Sequence, residues 1–212
     1  MKVAAVVPFK CFTRAKSRLR AEYSDTEVEQ ILHALLADVL AALRSASSID
    51  YVGVLTDDDA VAALARAEGV DVRMRTPDPG LNEAIEGAAE ELEVEGYEAL
   101  LVALGDLPLL RCADIDRVVE AGNAHPVVLM PSADGGTALL LRSPPRRIPA
   151  RFGPNSAARH EAAARAAGLE AFQLDALDEL SRIDLDTPDD AARILASGIP
   201  CQTRDVLRKF AR

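Results

Sequence analysis

Val3-Ala4-Ala5-Val6-Val7 runs without a polar interruption into Pro8-Phe9-Lys10, and the reading of this opening decides the fold. A continuous apolar, β-branched run reads as a strand buried on both faces, the habit of parallel sheets covered by helices. Downstream, Ser24 and Glu27 form a capping box, and Val28, Ile31, Leu32, Leu35, Val39, Leu40 and Leu43 follow at helical spacing. Further strands are predicted at Tyr51–Leu55, Val70–Met74, Ala99–Leu104, Val127–Met130 and Thr137–Leu141, the last two antiparallel across a short Gly-Gly turn. Leu169–Leu174 and Ile183–Asp186 read as extended. Helices are predicted after the Thr56-Asp57-Asp58 cap, from Leu81, over Asp114–Ala121, over Ser156–Ala167 and from Pro188. The alternation predicts an α/β fold: a single domain over 1–198 with a mostly parallel, Rossmann-like sheet and helices on both faces, followed by a tail over 199–212. The tail, with Arg204, Arg208, Lys209 and Arg212, reads as a docking tail or a solvated end, and the solvated end is the expectation.

Charge is distributed unevenly along this frame. The 212 residues carry a net charge of −10, which argues against a nucleic-acid partner. Yet residues 1–20 hold Lys2, Lys10, Arg14, Lys16, Arg18 and Arg20 and no acid, leaving 18 bases against 34 acids on the rest. Only four of the 24 basic residues are lysines, and three lie in the first 16 positions, so Lys10 and Lys16 stand out as places that call for a compact ammonium. No apolar run is long enough to span a membrane. Three cysteines without CxxC spacing fit a reducing cytoplasm, with Cys11 the one to watch.

Missing motifs narrow the chemistry. There is no G-x-G dinucleotide fingerprint, no Walker-type phosphate loop, no G-x-S-x-G elbow and no H-E-x-x-H, and His33, His125 and His160 are scattered. Ligands of open α/β sheets sit at the carboxyl ends of the strands. Pro8–Leu19 lies at such an end, and its four cations Lys10, Arg14, Lys16 and Arg18 suit a polyphosphate, although a solvated basic loop would read the same. Asp106 ends the most hydrophobic strand, where a carboxylate can bridge a divalent ion to a phosphate; a strand-ending turn is the plain alternative. Thr187, Pro188 and Asp190 are accounted for as a helix start, but Asp184 and Asp186 are not. One of these two is expected to face the site: Asp186, with Asp184 in reserve. Gly135-Gly136-Thr137 and Arg151–Ser156 can offer backbone N–H groups to an anion, as tight turns also do.

In order along the chain, P-F-K-x-x-x-R-A-K-S-R-L (Pro8–Leu19), G-L-N-E-A (Gly80–Ala84), G-D-L-P-L-L (Gly105–Leu110), G-G-T (Gly135–Thr137), F-G-P-N-S (Phe152–Ser156) and D-L-D-T-P-D-D (Asp184–Asp190) resemble the 2-phospho-L-lactate guanylyltransferase family of the CofC/FbiD type, within the nucleotidyltransferases of MobA-like fold. The resemblance implies transfer of a guanylyl group from GTP to a small phosphorylated carboxylic acid, 2-phospho-L-lactate or phosphoenolpyruvate, with release of pyrophosphate, on the route to coenzyme F-420. By motif, Lys10, Lys16 and Arg18 would hold the triphosphate as catalytic cations, with Pro8 and Asn82 also contacting the nucleotide. Asp106 and Asp186 would hold Mg²⁺, and Thr137, Gly153 and Ser156 would bind the acceptor. Homodimerisation is left open. The chain departs from the family pattern at Ala138, where Asn is usual, and at Asn155, where Gly or Ser is usual. The alternatives are a nucleotidyltransferase acting on a sugar phosphate or other phosphorylated acceptor, and a catalytically silent nucleotide-binding module.

Overall fold

The computed structural model describes residues 1–9, 18–74 and 80–211. Its sheet has seven strands: β1 (Val3–Pro8), β2 (Tyr51–Thr56), β3 (Asp71–Met74), β4 (Ala99–Ala103), β5 (Val127–Pro131), β6 (Thr137–Arg142) and β7 (Phe172–Gln173). They lie in the order β3-β2-β1-β4-β6-β5-β7. All neighbours are parallel except β6, which runs antiparallel to β4 on one side and to β5 on the other. Among the described residues seven α-helices cover the faces: α1 (Asp25–Ser45), α2 (Asp59–Ala67), α3 (Leu81–Val94), α4 (Cys112–Ala121), α5 (Ser156–Ala166), α6 (Pro188–Ala196) and α7 (Gln202–Phe210).

The uninterrupted apolar runs are explained by burial on both sides. In β1, Val3, Ala5 and Val7 enter one core while Ala4 and Val6 enter the other, and in β4 Ala99, Leu101 and Ala103 oppose Leu100 and Val102. The first core is covered by α1, α2, α4, α6 and α7, the second by α3 and α5. Local signals set the helix starts. Ser24 and Glu27 make both halves of the expected capping box, Asp58 caps α2, and Thr187 with Asp190 boxes the start of α6 behind Pro188. Asn155 precedes α5 at φ 54°, ψ 37°, the left-handed conformation that Asn tolerates better than most residues.

Two expectations from sequence are corrected. Ile183–Asp186 forms no strand; it is held by Leu185 N–H donating to the Asp106 carbonyl at 2.9 Å. The stretch after Gly198 does not end as a solvated tail. Its helix α7 packs on α1, with Leu207 fully buried, because Asp38 of α1 accepts hydrogen bonds from Gln202 N–H (2.9 Å), Thr203 N–H (2.8 Å) and Thr203 Oγ1 (2.7 Å). A cap supplied from 164 positions away is invisible to local pattern. Among the described residues no helix is long and apolar enough to cross a membrane.

Replacing Asp38 by Ala strips three donors of their acceptor and is expected to cost about 1–3 kcal/mol. Urea unfolding checks this; an unchanged midpoint would show that α7 is not held through Asp38.

Candidate active site

The carboxyl edge of β1 and β4 gathers most of the described candidates. Pro8 closes β1, and the next residue, Phe9, donates its N–H to the Leu55 carbonyl at 2.9 Å and packs its ring on Gly105. Any Cβ at Gly105 would overlap that ring, so glycine is required where the chain turns from β4 into Asp106. Lys10, Cys11, Arg14 and Lys16 lie outside the described residues. Arg18 lies exposed at the head of a short 3-10 turn, Leu19–Ala21, whose Leu19 is fully buried.

Asp106 and the acidic pair meet through the backbone bond from Leu185. Ile183 and Leu185 are buried in the first core, while Asp184 and Asp186 between and after them are only partly buried. Burial pushes the Asp184 carboxyl up to about 6, helped by the charges of Asp106, Asp134 and Asp186. Asp134, which no motif singled out, is held in the turn before β6: it accepts from Ser132 Oγ and from Gly136 N–H, and these bonds keep its carboxyl below the usual range. Among the described residues no three His, Cys, Asp or Glu side chains stand at metal-ligating spacing.

The second half of the edge is a chain of buried polar groups. Thr137 begins β6, and because β6 is antiparallel its start lies beside the end of β4, where Leu104 N–H donates to the Ala138 carbonyl at 3.3 Å. Ser156, the first residue of α5, donates through Oγ to Thr137 Oγ1 at 3.0 Å, and Thr137 Oγ1 is 3.1 Å from His160 Nδ1. His160 Nε2 accepts from Arg151 N–H at 2.9 Å. Gly153 takes φ 120°, a conformation open to glycine and strained for other residues, as the chain bends from Phe152 into α5. Ala138, where the family pattern has Asn, is fully buried with its methyl in the first core.

Asn82, the second residue of α3, reaches across to the segment that leads into α5. Its Nδ2 donates to the Phe152 carbonyl at 3.2 Å and its Oδ1 accepts from Phe152 N–H at 2.7 Å. One turn further along α3, Glu86 Oε1 accepts from Ala150 N–H at 2.6 Å and pairs with Arg142 Nη1 at 2.6 Å. Arg142 is fully buried and also donates to the Ile148 carbonyl at 2.7 Å. Thus α3 grips the segment leading to Gly153 and Ser156 at two points. Neither grip was readable from spacing. His160 did carry a signal, since it lies four residues after Ser156 on one helix face.

With this geometry in view, the comparisons are specific. The model of the family described as "Guanylyl transferase CofC like" matches residues 3–211. The chain belongs to that family. It is 36% identical over 212 residues to a phosphoenolpyruvate guanylyltransferase of Streptomyces coelicolor, covering 99% of this chain and 98% of the relative. It is 38% identical to a 3-phospho-D-glycerate guanylyltransferase of Phenylobacterium zucineum (91% and 89% covered) and 32% identical to a 2-phospho-L-lactate guanylyltransferase of Methanothermobacter thermautotrophicus (99% and 92%). Among solved structures, a nucleotidyl transferase from Methanothermobacter superposes with a TM-score of 0.70 at 18% identity, covering 99% of each chain, and so shares the fold. As a CofC-like guanylyltransferase the protein is a nucleotidyltransferase enzyme.

The raised Asp184 pKa has a stability consequence. A folded-state carboxyl that holds its proton up to about pH 6, against about 4 when unfolded, contributes stability that is present below pH 4 and lost as pH rises through 6. His160, pushed down to about 4 by burial and by Arg142, Arg159 and Arg151, contributes the opposite slope, lost as pH falls from about 6.5. Asp184→Asn removes the first and leaves the second. In chelator, the variant is expected to have a higher urea midpoint than the parent at pH 8, the gap closing towards pH 4; a gap that is constant with pH would mean that Asp184 is not the titrating group.

Proposed function

We propose that the protein transfers GMP from GTP to the phosphate of a small phosphorylated carboxylic acid and releases pyrophosphate. The observation that carries this reading is the meeting, on one sheet edge, of a carboxylate cluster (Asp106, Asp184, Asp186) and a buried hydroxyl pair (Thr137, Ser156). The family relatives named for phosphoenolpyruvate, 3-phospho-D-glycerate and 2-phospho-L-lactate support the acceptor class.

The residues suit Mg²⁺. The negative charge that Asp106 and Asp186 bring to the buried Asp184 is relieved by a divalent cation, and an all-oxygen donor set favours a hard ion over zinc. Asp106 and Asp186 would hold it, with Asp184 beside them. When bound, Mg²⁺ supplies charge neutralisation on the triphosphate and on the departing pyrophosphate.

In the reaction a phosphate oxygen of the acceptor attacks the α-phosphorus of GTP. A new P–O bond forms, the bond to the bridging oxygen between the α- and β-phosphorus breaks, and pyrophosphate leaves with that electron pair. The nucleophile is already anionic at neutral pH, so no general base is needed, consistent with the scattered histidines. What the chain must provide is position and relief from repulsion between two anions. Lys10, Lys16 and Arg18 offer cations to the triphosphate, while Thr137, Ser156 and the backbone at Gly153 orient the acceptor. Asn82 serves by fixing Phe152, and through it the Gly153–Ser156 bend. An acid of this kind guanylylated on its phosphate is the activated intermediate that coenzyme F-420 assembly requires.

Pyrophosphate release from GTP and Mg²⁺, measured in parallel with phosphoenolpyruvate, 2-phospho-L-lactate and 3-phosphoglycerate, is expected with at least one of them. GTP binding without turnover on any would favour the silent module, and turnover on a sugar phosphate alone would favour that acceptor class. Asp106→Asn is expected to lower kcat by roughly 100-fold or more with the fold intact, and Lys16→Ala to weaken turnover severely. Near-normal activity of Asp106→Asn with Mg²⁺ would overturn the metal assignment.

A further inference from the structure

We infer that His160 is a positioning residue of the acceptor site: as a neutral ring protonated on Nδ1, it sets the polarity of the Thr137–Ser156 pair so that one hydroxyl hydrogen is left to donate to an anionic group of the acceptor. This rests on the proposed reading of Thr137 and Ser156 as acceptor-binding groups.

The argument is a count of hydrogens. Arg151 N–H is a backbone donor and cannot accept, so His160 Nε2, 2.9 Å away, must be bare. A ring with a bare Nε2 is neutral and carries its hydrogen on Nδ1, which therefore donates to Thr137 Oγ1 at 3.1 Å. The Thr137 and Ser156 hydroxyls, 3.0 Å apart, own two hydrogens and share one bond. One hydrogen is spent between them, and the other remains as a donor whichever hydroxyl carries it. With the opposite tautomer, Nδ1 would take a hydroxyl hydrogen for itself. The pair would then have no donor to spare, and Nε2–H would face Arg151 N–H. The tautomer thus decides whether this spot attracts or repels a phosphate or carboxylate oxygen.

The surroundings hold the ring in that state. His160 and Thr137 are fully buried and Ser156 nearly so, which strengthens each hydrogen bond and fixes its direction. Phe152 stacks edge-on against the imidazole, with centroids 4.8 Å apart. Burial, with the Arg142, Arg159 and Arg151 charges around it, pushes the His160 pKa down to about 4, so the ring remains uncharged at working pH. Arg151 is also the residue before Phe152, which Asn82 clamps. His160 therefore links the strand bearing Thr137, the helix bearing Ser156 and the segment leading to Gly153.

The direct test is ¹⁵N NMR of the full chain labelled at histidine, with His160 assigned through the His160→Asn variant. A pyridine-type Nε2 and a pyrrole-type Nδ1, unchanged from pH 8 to 5.5, are expected; an Nε2–H ring, or one that titrates near 6.5, would overturn the proposal. Kinetically, His160→Phe keeps a ring but loses both bonds. It is expected to raise the acceptor KM roughly 10- to 100-fold, the worth of a hydrogen bond to a charged group, while the KM for GTP holds. His160→Asn, whose amide N–H can replace Nδ1–H, is expected to recover most of that loss, whereas a merely packing role would make it worse than Phe. If Thr137→Val raises the acceptor KM but His160→Phe does not, the histidine's role falls and the acceptor site stands. If Thr137→Val leaves that KM unchanged, the acceptor-site reading itself falls, and this proposal with it.

Discussion

Everything at the candidate site depends on the reversal of one strand. Because β6 lies antiparallel between β4 and β5, its first residue rather than its last reaches the edge where β1 and β4 end. The ladder places Ala103 opposite Leu139, and a further bond from Leu104 to Ala138 carries the pairing to the end of β4. A parallel β6 would bring Arg142 to that edge and leave Thr137 at the far side of the sheet. The reversal in turn requires the short Ser132–Gly136 turn, which Asp134 stabilises by accepting from the Gly136 N–H. Ala157 N–H donates to the Gly135 carbonyl at 3.4 Å, so the same turn seats the start of α5.

Beneath this edge the protein accepts two energetic costs. The first is the fully buried Arg142. Removing its Glu86 partner would strand a buried charge at a cost of several kcal/mol, so the pair adds little net stability but firmly specifies where the Ile148–Ala150 segment sits. The second is the burial of Asp184 among other carboxylates, which pushes its carboxyl up to about 6. A buried carboxyl that must ionise as pH rises lowers the stability of the fold, the usual compromise between stability and a working site.

Much of the architecture was legible in sequence because it follows from local chemistry. Unbroken apolar runs marked strands buried on both faces, and Ser24, Asp58 and Thr187 marked helix starts, since each cap satisfies donors only two or three residues away. Asp106 was legible for the same reason, as a carboxylate at the abrupt end of the most hydrophobic strand. The acidic pair was half legible. Its identity was plain, but its surroundings were settled by Ile183 and Leu185 taking the core and by the bond from Leu185 that brings the segment to Asp106.

By itself, then, the sequence determined the α/β class, the family and the residue types that the chemistry draws on, because periodicity, capping and ordered motifs are written along the chain. Only the tertiary structure decided what those residues do for one another. It joined Asp106 to the Asp184–Asp186 segment, committed Asn82 to Phe152, and fastened α7 through Asp38. It also turned His160 from a scattered histidine into the partner of Thr137. Each of these is a hydrogen bond between groups far apart in sequence. Such bonds are dictated by the need to satisfy polar groups once burial has brought them together, and burial is a property of the folded chain rather than of any stretch of it.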